Sequence, residues 1–202
     1  MPEVLQRKAE PAIRRPVASA APVTRSLLAG WREGLCIVNL RGNAEDTAFR
    51  QAVESVLDAP LPVKPCTTGE GSAVRVLWAG PDDWFIVGPK GQADALATRL
   101  RKALAGQHHA VTDVSSGYTV LHLSGTPARD VLAQGCPLDL HPRAFARGAC
   151  AGSHFFKAGV WLWQTDDAPE YELLVRRSFA GYVWLMLERA TAECGLVTRR
   201  FA

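Results

Sequence analysis

The stretches "LCIVNLRG" (35–42) and "YTVLHLSG" (118–125) decide the fold, because the chain after each of them follows the same plan. Each is a run of strand-forming residues closed by glycine, followed by a helical pattern, a proline stop and a hairpin. After the first, Asn43 is placed to cap a helix whose first turn carries Glu45 and Asp46, favourable at the positive helix end. Phe49, Ala52, Val53, Val56 and Leu57 recur at helical spacing and form its apolar stripe. "APLP" (59–62) stops the helix, since proline lacks an amide and crowds the preceding turn. "AVRVLW" (73–78) and "WFIVG" (84–88) flank the turn "AGPDD" as a hairpin. Leu96, Leu100 and Leu104 then mark a second helix, and "AVTDV" (110–114) a closing strand.

The second half repeats the order. Thr126 is a candidate cap, Pro127 suits the first helical position, and Gly135 can end the helix in a left-handed conformation. "CPLDLHP" (136–142) falls where "APLP" fell, and "VWLWQTDDAPEYELLV" (160–175) is a second hairpin, Trp163 echoing Trp78. Ser178 is placed to cap a last helix with Phe179, Tyr182, Val183, Met186, Leu187 and Ala190 on its apolar stripe. The expected fold class is α+β. It comprises two tandem β-α-β-β-α, ferredoxin-like units with antiparallel sheets, the first over 31–115 with its closing strand and the second over 116–202.

Residues 1–30 hold Pro2, Pro11, Pro16 and Pro22 without sustained periodicity and read as an extended arm. The arm carries five basic side chains (Arg7, Lys8, Arg14, Arg15, Arg25) against Glu3 and Glu10. The remaining 172 residues are formally neutral, so the net charge of +3 resides in the arm. Without aromatics to stack bases, and with no basic excess on the body, nucleic acid is not the expected partner. An acidic protein surface is, and Arg14 and Arg15 are its candidate contacts. No apolar run reaches the roughly 20 residues of a membrane-spanning helix, and the N-terminus lacks the apolar core of a secretory signal. Five cysteines, odd in number and without a Cys-x-x-Cys, favour reduced thiols in a cytoplasm.

"GCPLDLHP" (135–142) also brings a thiol, a carboxylate and an imidazole within six residues. A catalytic Cys136 would need His141 as its base, and no cysteine-enzyme signature surrounds it. Cys136, His141, Cys150 and His154 are zinc-type ligands, but their first pair is looser than a usual zinc knuckle and has proline after its cysteine. A helix stop followed by a turn uses the same residues with Cys136 as a small apolar side chain, and is the preferred reading. "GEGSAV" (69–74) precedes a strand instead of following one and lacks the third glycine of a dinucleotide loop. Arg176 and Arg177, at a strand-to-helix junction, could meet a carboxylate. Trp161 and Trp163 share one strand face, opposite Leu162, so that sheet is expected to be covered on both sides, with another chain as the expected cover.

"DVSSGYTVLHLSGTPARDVLAQGCPLDLHPRAF" (113–145), "RRSFAGYVWLMLERA" (176–190) and "GPDDWFIVGP" (80–89) resemble the gamma subunits of heterotetrameric sarcosine oxidases. The resemblance spans roughly 31–195 and does not reach the arm. It implies a fold akin to the folate-binding aminomethyltransferase domains. It also implies a complex that oxidises sarcosine to glycine, passes the one-carbon unit to tetrahydrofolate or releases formaldehyde, and forms hydrogen peroxide. Alpha, beta and delta subunits would be the partners and would hold FAD, FMN, NAD, tetrahydrofolate and zinc. No cofactor, catalytic residue or metal is expected on this chain. Two alternatives stand beside this: a related complex acting on another N-methyl amino acid such as N-methylglutamate, and a self-sufficient folate-binding protein using Asp113, Asp139 or Glu172 against the pterin.

Overall fold

The computed structural model describes residues 26–201, and Arg14 and Arg15 lie outside them. In chain order the strands and helices are β1 (Leu27–Arg32), β2 (Leu35–Gly42), α1 (Thr47–Leu57), β3 (Thr68–Glu70), β4 (Arg75–Gly80), β5 (Asp83–Pro89), α2 (Ala93–Ala103), β6 (His109–Asp113), β7 (Tyr118–Ser124), α3 (Ala128–Ala133), β8 (Cys150–Phe155), β9 (Ala158–Asp166), β10 (Glu170–Arg176), α4 (Ala180–Ala190) and β11 (Leu196–Thr198). They build two sheets, ordered β3-β4-β5-β2-β6 and β11-β1-β7-β10-β9-β8. Strand pairs are antiparallel apart from β1 with β11.

The duplication is visible strand by strand. β2, β3, β4 and β5 hold the places in the first sheet that β7, β8, β9 and β10 hold in the second. The one break in the correspondence is β1. In the first sheet β6 lies directly against β2. In the second, β1 occupies that place against β7 and pushes β11 one position out. Residues 27–30, expected at the end of the arm, are therefore strand. Leu27 and Ala29 bury completely in the core of the second unit, which an extended arm could not do.

Strand alternation puts apolar side chains on both faces of each sheet. The outer face of the first sheet packs Val38, Leu40, Val76 and Ile86 on Phe49, Val53 and Leu57 of α1 and Leu96 and Leu100 of α2. The outer face of the second packs Leu121, Leu123, Leu162 and Leu173 on α3 and α4. The inner faces meet each other: Ile37, Leu77, Phe85 and Val87 against Tyr118, Val120, Cys150, Trp163 and Leu174. The result is four layers, α/β/β/α. On one side the sheets are joined through the main chain, Thr68 N–H donating to Gly148 and Cys150 N–H to Cys66.

The inter-sheet core revises the expectation for Trp161 and Trp163. They do share a face, and that face is covered, but by the chain's own first unit. Trp163 is fully buried, and Trp161 meets Phe85 edge-on at 5.0 Å between ring centres. Sequence parity shows which way a side chain points and not what covers it.

Several caps also differ. Asp46, not Asn43, caps α1 by accepting from Ala48 N–H at 2.8 Å, while Asn43 closes the preceding turn on Glu45. No side chain caps α3 or α4, so neither Thr126 nor Ser178 plays that part. Phe179 lies just before α4 and is exposed, and Trp184 joins the buried stripe of the helix. Gly135 has no left-handed backbone. A Cβ there would sit 2.5 Å from the Phe156 ring, so close packing is what requires glycine.

Candidate functional site

A cleft of about 550 Å³ opens between the inner faces of the two sheets, away from their apolar centre. Its charged lining comes from four strands: Arg32 of β1, Glu70 of β3, Arg75 of β4, and Glu170 with Glu172 of β10, beside Thr165 of β9. Alternation explains the set on β10. Tyr171, Leu173 and Val175 face α3 and α4, which leaves Glu170 and Glu172 pointing at the opposite sheet.

Glu172 is buried and ion-pairs with Nη1 of Arg32. Nδ1 of His122 lies 3.8 Å from the same carboxylate oxygen, beyond hydrogen-bond reach, and the Phe201 ring packs at a tilt against His122 with 4.1 Å between ring centres. Burial alone would raise the Glu172 carboxyl, but His122 and Arg32 outweigh it and hold it below its ordinary range. Arg32 keeps 31% of its side chain exposed, although its Nε is buried without a hydrogen-bond partner among the described residues. Across the cleft Glu70 is shared by two guanidiniums, Arg75 at 2.7 Å and Arg147 at 3.5 Å. Glu170 accepts from the Thr165 hydroxyl at 2.8 Å and has no ion pair among the described residues. The arrangement offers ion-pairing groups of both signs to a small charged molecule.

Of these residues the sequence reading named only Glu172. Arg32 and Glu172 lie 140 positions apart and come together through β1, an element the sequence concealed. A signal did exist: glutamates at 170 and 172, and histidine at 122, occupy inward parity in otherwise apolar strands.

The residues of "GCPLDLHP" do not form a site together. Cys136 is buried on the helix side of the second sheet, its Sγ 3.6 Å from the Ser153 hydroxyl. His141 is exposed and follows an Asp139 whose carboxylate accepts the His141 N–H at 3.0 Å, a turn that holds the Asp139 carboxyl below its ordinary range. Cys150 lies on the other face of the sheet, in the inter-sheet core, and His154 is exposed. The candidate zinc set is thus dispersed across both faces of one sheet, and no metal-type cluster occurs among the described residues. Asp113 accepts from Ser115 N–H in the linker between the units. Arg177 clamps that linker to the second unit, donating to the Ser116 and Tyr118 carbonyls, and Arg176 lies 5.4 Å over the Tyr118 ring. No helix of the described residues is long and apolar enough to cross a membrane.

The fold defines a class first. Aminomethyltransferase T of the glycine cleavage system from Bartonella henselae superposes with TM-score 0.62 over 87% of this chain and 48% of that one, at 14% identity, a likeness of fold alone. The chain belongs to the sarcosine oxidase, gamma subunit family, whose model matches residues 41–193. The sarcosine oxidase subunit gamma of Corynebacterium sp. (strain P-1) is 40% identical over 147 residues, 72% of this chain and 70% of the relative. That of Arthrobacter sp is 39% identical over 63% of this chain, and the match spans 62% of the relative's length. A chain of the heterotetrameric sarcosine oxidase from Corynebacterium sp. U-96, solved with pyrrole 2-carboxylate, superposes with TM-score 0.78 at 28% identity over 86% of this chain and 87% of that one.

Proposed function

We propose that this chain is the gamma subunit of a heterotetrameric sarcosine oxidase and serves its assembly and stability without carrying its chemistry. The observation behind the reading is the likeness to a chain of the Corynebacterium sp. U-96 complex over nearly the full length of both. Alpha, beta and delta subunits are then its partners, holding FAD, FMN, NAD, tetrahydrofolate and zinc. The complex works in the cytoplasm, converting sarcosine to glycine and hydrogen peroxide with the one-carbon unit passed to tetrahydrofolate or released as formaldehyde. Arg176, Arg177 and the arm with Arg14 and Arg15 are the side chains we assign to partner contacts. The burial of Cys136 and Cys150 on opposite sheet faces supports a structural role for the residues that looked most chemical.

Co-expression with the three partner subunits tests this. Stoichiometric co-purification is expected, with sarcosine turnover unchanged within a few fold by Cys136→Ser or His141→Ala. A chain that stays apart from those partners, or a loss of several orders of magnitude in turnover with assembly intact, would refute it. A folate-binding role has one observation in its favour: of Asp113, Asp139 and Glu172, Glu172 lines a cleft. Its carboxylate is already paired with Arg32, however, so a pterin would have to displace that guanidinium. Titrating tetrahydrofolate into the purified chain decides between the readings.

A further inference from the structure

The charges in the inter-sheet cleft balance in number but not in pairing. With Arg147 at its rim the cluster holds three guanidiniums and three carboxylates. Among the described residues two guanidiniums converge on Glu70, one on Glu172 and none on Glu170. Arg32 and Arg75 each spend one amino group on a carboxylate, and both residues line the cleft. Three charges of each sign leave no reason to attract a simple anion or cation. A molecule carrying one charge of each sign corrects the mismatch: its cation meets Glu170, its anion meets the guanidinium edges, and the balance stays intact.

We propose that this cleft is a binding site for a free α-amino acid, its ammonium on Glu170 and its carboxylate on Arg32 and Arg75. The spacing suits the pairing. Glu170 and Glu172 lie on one strand face two residues apart, about 7 Å along the strand, and Arg32 sits on Glu172. Hydrogen bonds of about 2.9 Å at each end of an α-amino acid bridge such a separation. Thr165 holds the Glu170 carboxylate through one oxygen, which orients the other. The volume lies within the roughly 300–1,000 Å³ of small-molecule sites and leaves room for a side chain. This inference is independent of the gamma-subunit reading, since it concerns groups on this chain alone.

Isothermal titration of the full chain with glycine, acetate and methylamine tests it. Saturable binding of glycine is expected, with acetate and methylamine at least about tenfold weaker because each forfeits one charge-assisted pair. Glu170→Gln and Arg75→Ala, both at partly exposed positions that circular dichroism can show to be folded, should each weaken glycine by about tenfold or more. Absence of saturable glycine binding, equal binding of all three probes, or glycine affinity unchanged in folded Glu170→Gln would overturn it.

Discussion

Cys150 donates its thiol proton to the Thr67 carbonyl from a fully buried position, and burial pushes its pKa up to about 12. At pH 8 its thiolate fraction is then on the order of 10⁻⁴, too small for appreciable nucleophilic reactivity. Burial also raises the Cys36 thiol, with the Asp113 charge adding to it, whereas Cys66 is exposed. Alkylation of the native protein at pH 8, followed by mass spectrometry, should therefore label Cys66 and spare Cys36, Cys136 and Cys150 until denaturant is added. Labelling of native Cys150 would contradict the inter-sheet core. Glu172 obeys the opposite sign. Its folded-state carboxyl sits below the unfolded value, so the stability it adds is present above about pH 4.5 and is lost as pH falls through the folded value. Denaturant titrations at pH 6 and pH 3 should show a steeper loss for the native chain than for Glu172→Gln. At pH 6 that variant should be weaker by about 1–2 kcal/mol, below the usual figure for a buried pair because Arg32 is partly exposed. The residues of the cleft were hard to read in advance for a physical reason. Each is an ordinary charged side chain locally, and only register between strands far apart in sequence brings them together.

At the scale of elements, helices and hairpins were legible because each carries its own period. The stripe of α1 and the Leu96–Leu100 spacing of α2 reappear as buried faces. β1, β3, β8 and β11 were not legible. β3 and β11 are three residues each, β8 reads "CAGSHF" with little strand propensity, and β1 sits in what composition marks as an arm. Their pairing is decided by what lies beside them. β1 shows how tightly: a Cβ on Gly30 would stand 1.7 Å from the Arg199 carbonyl oxygen, because the chain after β11 continues alongside β1 and presses against that glycine. The obstacle is backbone and cannot swing aside. Gly30→Ala should cost about 1–3 kcal/mol in chemical denaturation, whereas Gly159→Ala, with nothing within 4 Å of the added carbon, should cost well under 1 kcal/mol. Equal effects of the two substitutions would place the C-terminal segment elsewhere.

For the whole molecule, the duplication leaves two units whose inner sheet faces cover each other, so β1, entering from the N-terminal side, completes the second unit's sheet before the first unit begins. β1 begins at Leu27, so truncations on either side of it test where the proposed arm ends. Removing residues 1–25 takes away all five basic and both acidic side chains of the arm but no described strand. Removing 1–32 also takes β1, exposing the edge of β7 and stranding β11, and it deletes Arg32 from a buried carboxylate. The shorter deletion should leave the circular dichroism and thermal midpoint of the isolated chain essentially unchanged. The longer one should unfold the second unit or drive aggregation through the bare strand edge. Assembly separates the two halves of the proposal further. If the arm with its net charge of +3 meets an acidic partner surface, its contribution is electrostatic and screened within a Debye length of about 8–10 Å near physiological salt. The affinity gap between the full chain and the 1–25 deletion, measured against the partner subunits, should be widest at low salt and close as salt rises, through the association rate more than dissociation. A gap that is absent at every salt concentration would show that the arm makes no contact, and one that is constant would show contacts of another kind.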